Sequence, residues 1–437
     1  MQKRYNVLVF PMLLLTLLDC KDTRKPGEEL LERKTPISAT SEWINTKAAI
    51  RTLQNDIRRK PGDQKKKFML ALAYMQEARI TGEHPHYYPL AQKLLDEVIG
   101  SRPDDRSLLF EALVAKATVQ LSLHEFDKAL RTGNAALKLD TTTASLYGVF
   151  CDAYAELGNY PQAIASADKM TSIRPDIRSY SRISYLREIH GDVQGAIEAM
   201  QEAIQSGMPG LEQTAWARIT LGGLYESTGR LTQAEMQYNL ALDERPHYPF
   251  ALGGLGRLEA KRKNYSKAIE LLKKASGIIP EFSFLQNLAS VYKLTGEKRK
   301  ARYVTDELLQ SLQEDQKAGH AVDLELANIH LELTGDIDEA YGYAKKEYRR
   351  RPGNIDVCKT MAKIFYMKSN LKEAERFIEN ASRTNKQDAE IFCLKGMIAH
   401  RSGDAEKGWA LINKGLAINP FLNESMINEI NQLKYRR

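Results

Sequence analysis

One spacing recurs along most of this chain and limits what it can fold into. Alanines at one fixed place in a helical pattern stand 33 to 39 residues apart, and the commonest interval is 34. A repeated period of this length predicts a stack of similar small units rather than a globular domain around a single core. The register consists of Ala91, Ala129, Ala163, Ala196, Ala234, Ala268, Ala301, Ala340 and Ala374, and Gly408 takes the last place.

Each repeat has the pattern of two helices joined by a tight turn. In the first helix a large apolar residue precedes a small one, as in Leu221-Gly222 and Leu255-Gly256, so that the second helix can approach closely. Glycine ends the first helix, where a left-handed residue closes the turn, and proline stops the second helix. The turn glycines are Gly158, Gly191, Gly229, Gly296, Gly335 and Gly403, and the end prolines are Pro61, Pro103, Pro175, Pro246, Pro280, Pro352 and Pro420.

This pattern resembles the tetratricopeptide repeat, a helix–turn–helix motif of 34 residues. The resemblance covers about residues 41–422 and implies an all-α, right-handed superhelical solenoid of about ten repeats. We expect an orphan helix in 41–62 to cap the first repeat, and residues 423–437 to form a C-terminal capping helix with a polar outer face. Insertions near 207–213 and 317–321 are expected in loops, and one near 84–88 between the two helices of the first repeat.

Two repeats depart from the pattern. Repeat eight has Asn328 at the small position and Glu347 where alanine usually packs, and repeat nine has Ser369 and Lys386 in place of glycine and proline. Because stability in a solenoid is roughly a sum over repeats and their interfaces, we expect both to be looser than their neighbours.

The first twenty residues are typical of an export signal. Residues 1–4 are polar and basic and residues 7–18 are mostly apolar, which is too short for a membrane-spanning helix. The following Leu17-Leu18-Asp19-Cys20 resembles a bacterial lipoprotein signal, although that family prefers a small residue where this chain has Asp19. The resemblance implies a signal peptide over 1–19, a lipid on Cys20 and a polar tether over 20–40. Cleavage without lipid and an uncleaved anchor stay open as alternatives.

Composition excludes several other classes of protein. The 437 residues are 27% charged and 43% hydrophobic with a net charge of +7, which excludes a disordered chain and a polytopic membrane protein and argues against a nucleic-acid binder. Gly253-Gly254-Leu255-Gly256 lies within a first helix, so phosphate binding is not expected. His84 and His86 have no evident third ligand for a metal. We therefore expect no catalytic residue, no metal and no cofactor.

Two of the cysteines are candidates for a disulfide bond. After signal processing Cys151, Cys358 and Cys393 remain besides Cys20, and Cys151 occupies a small-residue packing position. Cys358 and Cys393 are 35 residues apart on first helices of adjacent repeats, and whether they pair as a disulfide stays open.

The resemblance also implies a binding surface, because in this family the first helices line a concave groove that holds a partner. Acidic groove positions make the surface mixed in sign, and the carboxylate clamp known in the family is not reproduced. A solvated charged face without a partner is the alternative. The predicted partner-binding cations are Arg257, Lys261, Lys293, Lys359, Lys363 and Arg401, and the acidic positions are Asp152, Glu156, Glu188, Glu226, Glu325 and Glu332.

Together these features predict a non-catalytic scaffold of the bacterial cell envelope, lipid-anchored and with protein or peptide partners. It resembles outer-membrane tetratricopeptide lipoproteins that assist assembly of pili, secretins, outer-membrane proteins or peptidoglycan enzymes. The main alternative is a carbohydrate-binding lipoprotein of the starch-binding type, but such proteins use aromatic platforms on long insertions, and this chain has only three tryptophans. A cytoplasmic adaptor without lipid is a third interpretation.

Overall fold

The computed structural model describes residues 30–34, 37 and 41–434, with only the backbone of 41–44. The predicted signal peptide over 1–19 and the predicted lipidation residue Cys20 lie outside these residues, as does most of the predicted tether. The chain divides into two parts, Met1–Leu31 and Glu32–Arg437, and the second part contains the helices described.

Ten consecutive helical hairpins build this part, and the residues described contain no β-strand, so the predicted all-α solenoid is confirmed. The first helices of repeats 1 to 10 span Gln64–Thr81, Arg106–Ser122, Ala144–Glu156, Ile177–Ile189, Glu212–Ser227, Pro249–Lys261, Phe282–Leu294, Asp323–Ile329, Ile355–Met367 and Ala389–Arg401. The second helices span His84–Gly100, Phe126–Leu137, Tyr160–Ile173, Val193–Gln205, Leu231–Glu244, Tyr265–Ile278, Lys298–Lys317, Ile337–Arg350, Leu371–Ser382 and Ala405–Ile418. A helix over Ser41–Arg59 precedes them and one over Glu424–Leu433 follows.

The turn inside every hairpin contains a residue in the left-handed conformation. All six predicted turn glycines have positive φ, and so does Gly82 in repeat 1. His124, Lys263 and Ser369 take the same place in repeats 2, 6 and 9, with φ of 56°, 64° and 58°. A non-glycine residue pays about 1–2 kcal/mol for this conformation, so the turn geometry is imposed by the hairpin as a whole.

Small residues let large ones fill the space between helices. The ring of Tyr238, which is fully buried, lies between Gly222 and Gly254, and a Cβ on either glycine would overlap it. The register alanines Ala91, Ala129, Ala163, Ala196, Ala234, Ala268, Ala340 and Ala374 are likewise fully buried. The run from Gly253 to Gly256 is thus used for helix packing.

The insertion expected between the helices of the first repeat is helical instead. Residues 84–88 form the start of the second helix, His84–Gly100, and Pro85 lies in its first turn. Proline is well tolerated there because the first amide groups of a helix have no partner within it. The extra residues therefore lengthen a helix rather than a loop.

Repeat 8 is locally irregular, in the place where the sequence departs from the pattern. Its first helix continues as a π-helix over His330–Thr334, and Gly335 follows in the left-handed conformation. Glu347 is buried and its carboxylate accepts hydrogen bonds from Arg350 and Arg351, while Asn328 accepts one from Thr360 at 3.0 Å. The polar residues at these packing positions are thus paired. Whether the repeat is looser than its neighbours stays a prediction.

Repeats far apart in the sequence also touch one another. The turn inside each of repeats 1 to 5 contacts the segment that follows the second helix of the repeat five further along. We call this set of contacts the inter-turn seam. Its five sites pair Gly82 with Pro280, Leu123 with Ala321, Gly158 with Gly353, Gly191 with Asn385, and Gly229 with Pro420.

Hydrogen bonds and close backbone approach hold the inter-turn seam together. The amide of Ala321 donates to the carbonyl of Leu123 at 3.0 Å, and the side chain of Asn419 donates to the carbonyl of Ser227 at 3.1 Å. At the third site a Cβ on Gly158 would overlap the carbonyl of Gly353. Between five and six repeats therefore complete one superhelical turn, and successive turns are in direct contact.

The two terminal helices cover the ends of the array. Ile50 of the first is buried, and Gln54 donates to the hydroxyl of Tyr74 at 2.8 Å. Met426, Ile430 and Leu433 of the last helix are buried along one stripe. Among the residues described, no helix combines the length and the apolar character needed to cross a bilayer.

Candidate partner-binding groove

The six predicted partner-binding cations all lie on first helices, in repeats 6, 7, 9 and 10. The structure places each of them against a polar group of the same face, so none of the six projects alone into solvent. Their contacts fall into three clusters, centred on Glu226, on Glu332 and on Asp388, with Arg401 held separately.

Glu226, at the end of the first helix of repeat 5, is the centre of the first cluster. Arg257 Nη2 lies 3.1 Å from its Oε2 and Lys261 Nζ lies 3.5 Å from its Oε1. The hydroxyl of Tyr238 donates to Oε2 at 2.9 Å. Burial acts to raise the pKa of Glu226, but Arg257 and Lys261 outweigh it, and the pKa lies below its ordinary value. The carboxylate is therefore ionised and joins repeat 5 to repeat 6.

Glu332, in the π-helical segment of repeat 8, joins three repeats. Its carboxylate accepts from Gln286 of repeat 7 at 2.9 Å and lies 3.3 Å from Lys363 Nζ of repeat 9. Its backbone carbonyl accepts from Lys293 Nζ at 2.8 Å. The irregular backbone of repeat 8 thus presents both a side chain and a carbonyl to the first helices of repeats 7 and 9.

Lys359 lies between two carboxylates of repeat 10. Its Nζ is 3.2 Å from Asp388 and 3.5 Å from Glu390. Burial acts to lower the pKa of this lysine, and the two carboxylates outweigh it, so the pKa lies well above its ordinary value. The lysine therefore stays charged at neutral pH.

Arg401 is held by polar groups of repeat 9 rather than by a carboxylate. Its guanidinium donates to the carbonyl of Tyr366 at 3.3 Å and to the hydroxyl of Ser369 at 2.9 Å. It also lies 4.7 Å from the centre of the Tyr366 ring, a cation–π contact. The arginine therefore joins repeat 10 to the turn of repeat 9.

Most of the acidic groove positions are paired as well, whereas Glu325 Oε2 is buried with no hydrogen-bond partner among the residues described. Asp152 accepts two hydrogen bonds from Arg182, one of them at 2.8 Å from Nε. Glu156 contacts Arg351 across the inter-turn seam, and Glu188 lies 3.4 Å from Lys386 across it. Sequence reasoning missed these long-range partners, because the repeat pattern contains no signal for which turns meet.

A cavity of about 420 Å³ opens beside the inter-turn seam, between repeats 2 and 3 on one side and repeats 8 and 9 on the other. Its lining contains four carboxylates and only one arginine, so it is more acidic than the three clusters around the predicted cations. Its lining consists of Leu121, Ser122, His124, Phe126, Asp152, Glu156, Leu324, Glu325, Arg351, Asn354 and Asp356.

The cysteines of the described region are free and buried. Burial raises the pKa of Cys151 to about 12, that of Cys358 to about 11 and that of Cys393 to about 12. Cys358 donates to the carbonyl of Pro352, in the segment before its own helix, and Cys393 donates to that of Ile412, in the second helix of repeat 10. The two thiols are therefore directed at different parts of the chain and are not paired. Within the residues described, no three metal-ligating side chains are close enough to hold a metal ion.

The type of repeat follows from the hairpins themselves. Ten hairpins recur with a period close to 34 residues, each with a small residue in the second helix against its own first helix and a left-handed residue in the turn. Hairpins with these features have the fold of tetratricopeptide repeats. No family model matches the sequence, and a search of curated proteins finds no match either.

Several solved tetratricopeptide proteins are similar in structure, at low identity. The Cut9 and Hcn1 hetero-tetramer of the APC/C matches over 88% of this chain and 86% of that one, with 14% identity and a TM-score of 0.45. TTC0263 of Thermus thermophilus matches over 47% of this chain and 98% of its own, with 22% identity and a TM-score of 0.38. PilF of Pseudomonas aeruginosa matches over 49% and 94%, with 19% identity and a TM-score of 0.34.

Proposed function

We propose that this protein is a non-catalytic scaffold that holds a segment of a partner protein on the first helices of its tetratricopeptide repeats. The observation that carries the proposal is a row of charged side chains fixed in place yet reachable from solvent. The side chains of Arg257, Lys261, Lys359 and Lys363 keep 28%, 24%, 26% and 27% of their surface exposed while paired to carboxylates.

Fixed, partly exposed charges favour recognition of a partner. Side chains that are already ordered lose little conformational entropy when a second group binds them. A partner carboxylate approaching Lys363 would share the ammonium with Glu332, and Lys359 already contacts two carboxylates at once. The cations therefore bind acidic groups of the partner. Because each cation is already paired with a carboxylate of this protein, a partner must place its acidic groups in matching positions to bind.

The proposed location is the bacterial cell envelope, with the chain attached to a membrane through a lipid on Cys20. The support is the basic and apolar start of the chain and its resemblance to a lipoprotein signal. Two or three acyl chains on one residue would give durable attachment, since each buried methylene adds about 0.8 kcal/mol. The partners are then other envelope proteins or peptides.

Affinity purification with crosslinking from native envelopes tests the binding surface. The charge-reversed variant with Lys359→Glu and Lys363→Glu should lose the crosslinked partner. Lys372→Glu and Lys273→Glu are the matched control, because both lysines are exposed on second helices. Equal partner recovery from the two variants would exclude the proposed surface.

Membrane fractionation tests the attachment separately. The protein should sediment with membranes, and Cys20→Ala should shift it to the soluble fraction. If both proteins partition alike, Cys20 does not carry the anchor, and the binding surface remains to be judged by the crosslinking experiment alone.

A further inference from the structure

Three histidines from separate repeats meet at one site of the inter-turn seam. His84 begins the second helix of repeat 1, His124 lies in the turn of repeat 2, and His320 lies in the segment after repeat 7. The ring centres of His124 and His320 are 4.6 Å apart, and those of His84 and His320 are 6.2 Å apart. This histidine cluster thus joins the first superhelical turn to the second.

The hydrogen bonds of the histidine cluster leave an added proton on His320 without a partner. His124 Nδ1 lies 3.0 Å from the carbonyl of Ala321 and therefore donates to it. The amide of Ala321 donates back to the carbonyl of Leu123 at 3.0 Å. Both ring nitrogens of His320 are buried without a hydrogen-bond partner among the residues described. A proton added to His320 would consequently be a buried charge with no acceptor.

The packing around the rings is mainly aromatic. His84 stacks on Tyr88 with ring centres 5.2 Å apart, and His124 stacks on Phe126 at 5.6 Å. Burial lowers the pKa of His84 to about 4 and that of His320 to about 3, and the neighbouring histidines act in the same direction. A proton on His84 makes it harder to add one to His320.

Charged groups surround the histidine cluster, but the pKa values of His84 and His320 stay below their ordinary value. Glu325 Oε1 lies 3.9 Å from His124 Nδ1. Burial raises the pKa of Asp315 to about 6, with further increases from Glu314, Glu325 and Glu83. The titratable and charged groups that act on these rings or on their neighbours Tyr88, Phe126 and Asp315 are Arg79 and Glu83 of repeat 1, Glu156 of repeat 3, Glu314 of repeat 7, Glu325 of repeat 8, and Arg351 after it.

We propose that the histidine cluster makes this site of the inter-turn seam sensitive to acid, so that uptake of protons by His84 and His320 separates the two superhelical turns there. Among the residues described, the other four seam sites contain no such group of rings, and they stay closed. Separation would widen the cavity beside repeats 2 and 8, which is lined by His124 and Glu325.

The direction of the effect follows from proton uptake. An exposed histidine titrates near pH 6.5, so the open site binds protons below that pH while the closed site resists them down to about pH 4 for His84 and about pH 3 for His320. Closure is therefore favoured above pH 6.5 and weakens as the pH falls. Asp315 opposes this between about pH 6 and its ordinary pKa, because the closed site keeps that carboxyl protonated. The two histidines affect closure over a wider pH range than the one carboxyl does, so their effect is the larger one.

Hydrogen exchange at single amides tests the proposal on the full chain. The protection factor of the Ala321 amide, which donates to Leu123, should fall at least about tenfold between about pH 7 and pH 4.5. The Ile355 amide, which donates to the Tyr160 hydroxyl at 3.2 Å in the next seam site, should keep its protection. The variant with His84→Gln and His320→Asn should keep Ala321 protected at both pH values.

Two further variants make the result unambiguous. His247→Gln, at an exposed histidine of another loop, should lose protection like the unmodified protein, and Asp315→Asn should deepen the loss. His84→Gln alone should give an intermediate loss, which covers the case in which the double variant fails to fold. The proposal is overturned if Ala321 keeps its protection in acid, if the histidine variants lose it as the unmodified protein does, or if Ile355 loses protection to the same extent.

Discussion

The side-chain amide of Asn354 donates to the backbone carbonyl of Glu156, 198 residues earlier in the chain, across 2.9 Å. In a simple solenoid each repeat contacts only its neighbours, and the stability is a sum of local terms. Here a residue of repeat 9 satisfies a helix-end carbonyl of repeat 3. The inter-turn seam therefore adds long-range contributions to the stability of a fold whose other contacts are between neighbouring repeats.

Replacing Asn354 measures how much one of these long-range contacts contributes to stability. Asn354 also caps the first helix of repeat 9 by accepting from the amides of Asp356 and Val357. Asn354→Ser keeps a capping oxygen but is too short to reach Glu156, so the free energy of unfolding should fall by about 1 kcal/mol. Asn370→Ser, at a helix cap outside the seam, is the control and should change it by less than about 0.5 kcal/mol. Urea unfolding monitored by circular dichroism gives both values, and equal losses would contradict the role assigned to the seam.

Gly158 and Gly296 provide a matched pair for the close backbone approach. Both have positive φ, 77° and 78°, but a Cβ on Gly158 would overlap Gly353, whereas one on Gly296 would meet nothing. Alanine at either position should cost about 1–2 kcal/mol for the left-handed backbone. Gly158→Ala should cost about 1–3 kcal/mol more, because the seam must shift to admit the methyl group. Chemical unfolding of the two variants side by side would refute this if the losses were the same.

Glu226 is expected to matter more than an ordinary surface carboxylate. It is buried and neutralises Arg257 and Lys261, so Glu226→Gln should lower the free energy of unfolding at pH 7 by about 3 kcal/mol. The pKa of this carboxyl is lowered in the fold, so its contribution is present above its unfolded pKa and is lost as the pH falls through the lower folded value. The difference between the two proteins should accordingly shrink in acid. A difference that is independent of pH would show that the charge is not the cause.

Asp315 should behave in the opposite way. Its folded pKa of about 6 lies above its ordinary value, so the charged carboxylate destabilises the fold above pH 6. Asp315→Asn should raise the free energy of unfolding by about 1–3 kcal/mol at pH 8, and the gain should vanish near pH 4. Thermal unfolding across this pH range measures the gain. Glu270→Gln is a suitable control because this exposed carboxylate pairs with the exposed Lys274.

The three buried thiols should be inert in the folded protein. Burial raises the pKa of each well above its ordinary value, and the thiolate is the reactive form. Alkylation by iodoacetamide at about pH 8, mapped by peptide mass spectrometry, should label Cys151, Cys358 and Cys393 only after denaturation. Denatured protein kept without reductant should label all three, since Cys358 and Cys393 are free; a disulfide between them would leave both unlabelled.

Periodicity predicted the hairpins well because it records local chemistry. The alanine register recurs in nine of the ten hairpins and a turn glycine in seven, so a chance match at one position has little weight. The insertion at residues 84–88 was assigned wrongly because spacing gives the number of added residues but not their conformation. Pro85 was the available signal, since proline is common in the first turn of a helix.

The partner-binding role of the cations stays a prediction. Arg257, Lys359 and the other cations lie on first helices, as the repeat position implies. Their pairing with carboxylates depends on side-chain reach between neighbouring repeats, which the pattern does not encode. The inter-turn seam was not predicted at all, because the superhelical pitch is the sum of small rotations at each interface. Asn354 and Asn419 both follow the second helix of a repeat, but neither residue identifies the turn that it contacts.

Contact between successive turns also fixes the number of repeats between each pair of contacting sites. Deleting or duplicating one hairpin between repeats 3 and 8 would bring Gly158 opposite a different partner, and every other pairing that spans the changed hairpin would shift as well. In an open solenoid such a change alters only the length. In this protein a change in the number of hairpins also changes which turns meet. A hairpin can therefore be gained or lost only if the residues at the contact sites still fit their new partners.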